Sequence, residues 1–363
     1  MKRNTLILFA AALCFSASAA PKTYQAADSS AIRFCGRTIA LPDGAVSFDW
    51  SGVYAETVLD GKALQLRLSD TGESYYDIFV DGKKTGKFNV VRTDTTVTVA
   101  DRLPRGRHTV EIKKRTEGEN STATFHEFIL PSGGTLTATQ PRGRYIEVIG
   151  NSLTAGYGTE GLDRNEPFKL STENCNLSYS TIVPRYFDAD YSLIAHSGQG
   201  AVRNYGDTVR TSKVSMRQRI KQTLDKDTST VWDFSTRKPD IVIINLGAND
   251  FSTEPHPYRK EFVEGYSEIL GTLLEKYGQD QAILCVMPYA VSAPVEEFYR
   301  EAVKKADGKN IYFLRMPVDY INTTSDLGSS WHPNYSGQKK MAMMIIPYVA
   351  TITGWPLSDK TVE

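Results

Sequence analysis

The chain is poor in cysteine and histidine, carries no excess charge of either sign, and has no apolar run long enough to cross a bilayer. Its 363 residues include four cysteines and five histidines. Outside the N-terminal leader only Cys35, Cys175 and Cys285 remain, odd in number and without CxxC spacing. Neither a disulfide framework nor a zinc site is therefore implied. Basic and acidic residues number 42 each, so nothing in the total attracts polyanions, and nucleic-acid binding and electrostatic docking to membranes are disfavoured. HExxH and acidic cation-loop patterns are also missing, and no metal or other cofactor is expected.

What the chain does begin with is Lys2 and Arg3, an apolar run over residues 6–15, and the small-residue pattern Ala17-Ser18-Ala19. This is the pattern of a secretory signal peptide over residues 1–19, cleaved near Ala19. The run of about ten residues falls short of the ~20 that a membrane span needs. The mature protein is expected to be secreted, periplasmic or extracellular, with no membrane span. Losing the leader leaves two more acidic than basic residues. The mature length exceeds what one hydrophobic core usually serves, which makes two domains the default.

Periodicity divides the chain in the same way. Over residues 25–132 short alternating runs such as ALQLRLSD, TTVTVA and TATFHEFIL are cut by turn residues, and Asp81-Gly82 after YYDIFV is a hairpin signal. These runs predict an all-β sandwich of jelly-roll type. Residues 131–143, PSGGTLTATQPRG, have the composition of a connector. Over residues 144–356 the apolar runs YIEVIG, YSLIAHSG, DIVIINLG, AILCVMP and IYFLRM alternate with helical patterns, among them VSMRQRIKQTLDK, EFVEGYSEILGTLLEKYG and VEEFYREAVKKAD. Near-continuous apolar strands between amphipathic helices predict a parallel sheet covered on both faces. Functional loops are then expected beyond the carboxyl ends of its strands.

Three of those ends carry polar motifs. GNSLTAGYG places Ser152 on a tight strand-to-helix turn, HSGQG offers the backbone N–H of Gly198 with Gly200 as the reserve, and INLGAND offers the side-chain amide of Asn249. Each has a plain structural reading as a helix cap, a positive-φ turn and an Asx turn. A fourth motif, SSWHPN, sets His332 ahead of a C-terminal helical run. Ester hydrolysis needs a nucleophile, a base that takes its proton, and donors for the developing oxyanion. These residue types fit those roles.

A serine in GxSxT, a glycine in the next strand-end loop, an asparagine in GxND and a histidine in a C-terminal HPN resemble, in that chain order, the SGNH (GDSL-like) hydrolase superfamily. DWSG at residues 49–52, KRTEG at 114–118, RNYG at 203–206 and SWHPN are more closely similar to carbohydrate esterase family 2 of the acetyl xylan esterase type. The resemblance implies a jelly-roll domain ahead of an SGNH hydrolase domain. It further implies Ser152 as nucleophile, His332 as base, and an oxyanion hole formed by Ser152, Gly198 and Asn249. The substrate so implied is acetylated carbohydrate of plant polysaccharide type, with no obligate protein partner. Trp331, beside His332, is a candidate for stacking on a sugar ring, with Tyr157 and Tyr205 weaker ones.

The pattern departs from the superfamily twice. Asn151 stands where an aspartate is usual before the serine, and Ser329 and Ser330 occupy the positions where an acid supporting His332 would be expected. A backbone carbonyl of the Ser329–Ser330 turn is expected to take the acid's place, making a Ser-His dyad, whereas Asp319 and Asp326 lack the family spacing. Two other functions remain open at this point, a lysophospholipase or thioesterase of the same superfamily and a catalytically weak carbohydrate-binding protein.

Overall fold

The computed structural model describes residues 20–363, so the leader read over residues 1–19 lies outside the described residues. Up to Ala138 the described chain forms two six-stranded sheets whose strands pair antiparallel. In one, Ile39–Ala40, Val46–Phe48, Ala123–Leu130, Leu64–Asp70 and Asp94–Ala100 lie side by side, with Lys22–Gln25 also paired to Ala123–Leu130. In the other the order is Thr135–Ala138, Tyr54–Asp60, Arg107–Lys114, Glu73–Val80 and Lys83–Val91, with Arg33–Cys35 on Tyr54–Asp60. Alternation drives the packing: Leu64, Leu66 and Leu68 are buried while Gln65, Arg67 and Ser69 between them are partly exposed. The inward faces meet through aromatic rings, with Phe48 and Phe125 4.9 Å apart and Tyr76 of the second sheet 5.9 Å from Phe125. Asp81 and Gly82 both have positive φ, 51° and 74°, as a two-residue type I′ hairpin requires.

The second sheet system is parallel. Strands β1 (Tyr145–Gly150), β2 (Asp190–Ala195), β3 (Ile241–Asn245), β4 (Ile283–Met287) and β5 (Ile311–Arg315) are arranged β2-β1-β3-β4-β5. Side chains alternate between the two faces of a strand, and here both faces are apolar. Ile149, Ile194, Ile244 and Cys285 pack toward the helices Arg259–Tyr277 and Glu296–Ala306. Val148, Leu193, Ile243 and Leu284 pack toward Tyr179–Tyr186 and Tyr335–Thr353. Burial on both sides explains why these strands read as unbroken apolar runs. None of the described helices is long and apolar enough to cross a membrane.

Two local expectations fail. Of VSMRQRIKQTLDK only Met216–Arg219 is helical. The carbonyls of Ile220 and Gln222, which would continue the helix, instead accept bonds of 2.7 Å from the fully buried guanidinium of Arg37 in the sandwich. The connector read over residues 131–143 carries a strand, Thr135–Ala138, paired with Tyr54–Asp60, and pairing of the sandwich starts at Lys22, ahead of residue 25. A free sheet edge recruits neighbouring backbone whatever its loop-like composition.

Arg37 belongs to a broad polar seam between the antiparallel sheets and the parallel one. Trp50 Nε1 donates to the Thr223 carbonyl at 2.9 Å. Asp190, fully buried at the start of β2, accepts from Tyr54 Oη at 2.7 Å, Arg33 at 3.1 Å, the Arg142 guanidinium at 2.9 Å and Arg237 at 2.6 Å. Burial by itself raises a carboxyl pKa, but the Arg237 and Tyr54 bonds and the neighbouring arginines outweigh it and hold Asp190 at about 2. Asp190→Asn leaves three guanidinium groups around a neutral amide and should destabilise the fold by roughly 3–5 kcal/mol at neutral pH, as measured by urea unfolding. The carboxylate's contribution is present above its unfolded pKa of about 3.9 and lost as the pH falls through its folded value, so the gap between wild type and variant should narrow below about pH 4.

Candidate active site

Adjacent strands β2, β1 and β3 end side by side, with Gly150 paired to Ala195 and Ile149 to Ile244. Ser152, Gly198 and Asn249 lie two, three and four residues beyond these strand ends and so share one edge of the sheet. Ser152 opens a short helix, α1 (Ser152–Ala155), whose N-cap Asn151 accepts the Leu153 N–H at 3.2 Å. Asparagine therefore supplies the capping oxygen that an aspartate would. Gly150 is required by crowding, because a Cβ there would lie 1.9 Å from Thr154 Oγ1. The spacing GxSxT is thus a packing rule as much as a chemical one. As the first residue of α1, Ser152 has no preceding turn to receive its N–H.

His332 comes from the opposite end of the sequence. Its Nε2 lies 2.9 Å from Ser152 Oγ, and its Nδ1 lies 2.8 Å from the Ser330 carbonyl oxygen. A carbonyl can only accept, so Nδ1 carries the proton and Nε2 is left to accept from the serine hydroxyl. The expected backbone acceptor is therefore in place. Asp326 is turned elsewhere: its carboxylate accepts from the Asn322 N–H at 2.7 Å, Ser336 Oγ at 3.0 Å and Lys340 Nζ at 2.5 Å. Asp319 is exposed. Packing around the imidazole lowers the His332 pKa below its usual 6.5, opposed in part by the bond to Ser330.

Residues 158–168, which follow the serine turn, hold the histidine loop. Ser329 N–H donates to Gly158 O at 3.1 Å, Ser330 N–H to Glu166 O at 2.9 Å, Trp331 N–H to Arg164 O at 3.1 Å, and Phe168 N–H to Ser330 Oγ at 3.0 Å. Contact is close enough that a Cβ on Gly158 would sit 2.6 Å from the Ser329 carbonyl oxygen. Ser330 and Trp331 adopt φ of 51° and 62°, a conformation that costs energy for residues with a Cβ. It turns the Trp331 ring outward, 57% exposed, with the Arg164 guanidinium 4.5 Å from its centre. Tyr157 stacks on Phe168 at 3.6 Å and its ring lies 4.5 Å from that of His332.

The glycine and asparagine loops are tied together. Asn249 Nδ2 donates to the Gln199 carbonyl at 2.8 Å, leaving its second amide hydrogen free of that bond. Asp250, to which the sequence reading gave no role, accepts the backbone N–H groups of Ala201, Val202 and Arg203 at 2.9, 2.7 and 2.9 Å. Of the two glycines in SGQG, Gly200 has its N–H engaged by Asn204 Oδ1 at 3.2 Å, whereas the Gly198 N–H has no partner among the described residues. This favours Gly198 over Gly200 as a donor to a ligand. Tyr205 is 63% exposed and its N–H donates to Gly198 O at 2.8 Å.

With this geometry established, the comparisons with known proteins are specific. Residues 34–139 match the family model Carbohydrate esterase 2 N-terminal, and residues 148–340 match the GDSL-like Lipase/Acylhydrolase family. The chain is 30% identical over 335 residues to the cellulase/esterase CelE of Acetivibrio thermocellus, a match covering 90% of this chain and 40% of that protein. It is 27% identical over 321 residues to an acetylxylan esterase / glucomannan deacetylase of Cellvibrio japonicus, covering 84% of this chain and 85% of that one. A solved family two carbohydrate esterase from Clostridium thermocellum, in complex with cellohexaose, superposes with a TM-score of 0.83 at 29% identity, over 90% of this chain and all of that one. The two family models divide the chain where its antiparallel sheets give way to the parallel one, and the chain belongs to the GDSL-like lipase/acylhydrolase family, with the N-terminal region of carbohydrate esterase 2 ahead of it.

Proposed function

We propose that the protein is a secreted carbohydrate O-deacetylase that removes acetyl groups from plant-type polysaccharide or oligosaccharide, using Ser152 and His332. The observation that carries this reading is the Ser152 Oγ to His332 Nε2 contact of 2.9 Å, with the imidazole oriented by a carbonyl at 2.8 Å. Ser152 attacks the ester carbonyl as His332 Nε2 takes its proton. The alkoxide collapses to an acyl-serine, His332 returns the proton to the departing sugar hydroxyl, and water, activated by the same base, releases acetate. The N–H groups of Ser152 and Gly198 and the amide of Asn249 receive the oxyanion. The leader with Ala17-Ser18-Ala19 supports export.

One exposed aromatic ring favours a sugar as the alcohol part of the ester. Trp331, next to His332 in the chain, exposes its ring, which suits it to the apolar face of a sugar.

Wild type should release acetate from 4-nitrophenyl acetate and from acetylated xylan or glucomannan oligosaccharides, and Ser152→Ala should lose activity by ~10⁴-fold or more. In a chain-length series of synthetic esters the rate should be greatest for acetyl, and a preference for dodecanoyl would replace this reading with a lysophospholipase or thioesterase. Asn249→Ala should lower kcat by about 10²- to 10³-fold, the usual effect of removing one oxyanion donor.

Only neutral imidazole accepts the serine proton, so turnover should fall as acid protonates His332, with a half-maximal point below its usual 6.5. A midpoint above pH 7 under conditions limited by acylation would contradict this. Asp326→Asn and Ser330→Ala should each keep most turnover. A loss from Asp326→Asn as severe as that from His332→Ala, in a folded protein, would show that an acid supports the histidine after all.

A further inference from the structure

The KRTEG segment leaves the sandwich strand Arg107–Lys114 and carries a carboxylate that the mechanism above does not use. Glu117 is 1% exposed. One of its oxygens accepts the Ser197 backbone N–H at 2.6 Å, and the other bonds to the Ser197 hydroxyl. Ser197 immediately precedes Gly198. The sandwich thus reaches across to the loop that offers an oxyanion donor.

The conformation of that loop makes the contact consequential. Gln199 N–H donates to the His196 carbonyl at 3.2 Å, and Gly198 has φ of 75°. An i to i+3 bond with positive φ at the third residue is a type II turn, with Ser197 and Gly198 at its centre. A type I turn with the same ends differs mainly by rotation of the central peptide, roughly 150° in ψ of the second residue and a similar amount in φ of the third. That central peptide, Ser197–Gly198, bears the Gly198 N–H. Flipping it would put a carbonyl oxygen where the donor is, opposing an oxyanion instead of stabilising it.

Glu117 is itself held firmly. Its N–H donates to Glu173 Oε1 at 2.6 Å, and Lys114 Nζ donates to its carbonyl at 3.3 Å. A Cβ on the next residue, Gly118, would lie 2.8 Å from Asp225 Cβ, so the segment sits tight against the hydrolase part of the chain. Burying a carboxylate is costly for stability, and a rigid second layer of contacts is what a preorganised donor requires.

We propose that Glu117 is a positioning residue for ester hydrolysis at Ser152, clamping Ser197 from the sandwich so that the Ser197–Gly198 peptide stays in its type II orientation. This rests on the reading of Gly198 as an oxyanion donor, and the controls separate the two. In Glu117→Met both acceptors are lost at nearly constant size. In Glu117→Gln one oxygen still receives the Ser197 N–H and the amide can bond the hydroxyl. With 4-nitrophenyl acetate and active sites titrated by a fluorophosphonate, Glu117→Met should lower kcat by ~10- to 100-fold with KM within about twofold, a fraction of the loss seen when a donor is deleted. Glu117→Gln should recover most of that loss. Wild-type kcat in a folded Glu117→Met, however much its melting temperature drops, overturns the proposal and leaves Glu117 as glue between the two parts of the chain. Should Glu117→Met not fold, Glu117→Asp retracts both oxygens from Ser197 and is judged by the same kcat criterion. If Ser152→Ala retains activity, the serine mechanism fails instead, whatever the Glu117 variants show.

Discussion

A carbonyl oxygen can accept a hydrogen bond and never donate one, and the arrangement around Ser152 depends on that asymmetry. The Ser330 carbonyl fixes the proton on His332 Nδ1 and so leaves Nε2 as an acceptor toward Ser152. No side-chain acid is needed to choose the tautomer. The arrangement demands that the Ser330 backbone be held in one orientation, and here it is held in the left-handed region, with φ of 51°. Bonds from residues 158–168 to the backbone of Ser329, Ser330 and Trp331 maintain it. A triad orients its histidine through one carboxylate, whereas this site distributes the task over a loop.

The same economy of side chains is seen at the glycine and asparagine loops. Asp250 gathers three successive backbone N–H groups after the glycine loop, and the Asn249 amide bonds the Gln199 carbonyl. The third support comes from outside the parallel sheet, through Glu117 of the sandwich. Arg37, Trp50 and Asp190 fasten the antiparallel and parallel sheets together in the same seam. The sandwich is therefore part of the framework of the site, and its motifs DWSG and KRTEG are explained by this contact: Asp49 accepts the N–H groups of Asp225 and Lys226, and Asp225 in turn bonds His196 at 2.6 Å.

Much of this was legible in the sequence because it depends on short-range rules. Period-two alternation in the Leu64–Asp70 strand and unbroken apolar runs in the parallel strands gave the two architectures, and Asp81-Gly82 gave its hairpin turn. Ser152, Gly198, Asn249 and His332 could be singled out because their four motifs stand together in one chain order, although the first three each also have a plain structural reading. Val214–Lys226 carries a helical pattern but is helical only over Met216–Arg219, because Arg37, some 180 residues earlier, takes the carbonyls that would have continued the helix. The strand Thr135–Ala138 was hidden by turn-forming composition and created by a sheet edge.

The sequence by itself determined the element types, the order of the motifs and the absence of an acid two or three residues before His332. Only the tertiary structure decided what bonds His332 Nδ1, which of Gly198 and Gly200 keeps an N–H without a partner among the described residues, and that a glutamate of the sandwich bonds Ser197. The reason is physical. Periodicity and turn chemistry act between residues a few positions apart, whereas a hydrogen bond between Glu117 and Ser197, or between His332 and Ser152, joins residues separated by 80 and 180 positions, and its geometry exists only once the intervening chain has packed.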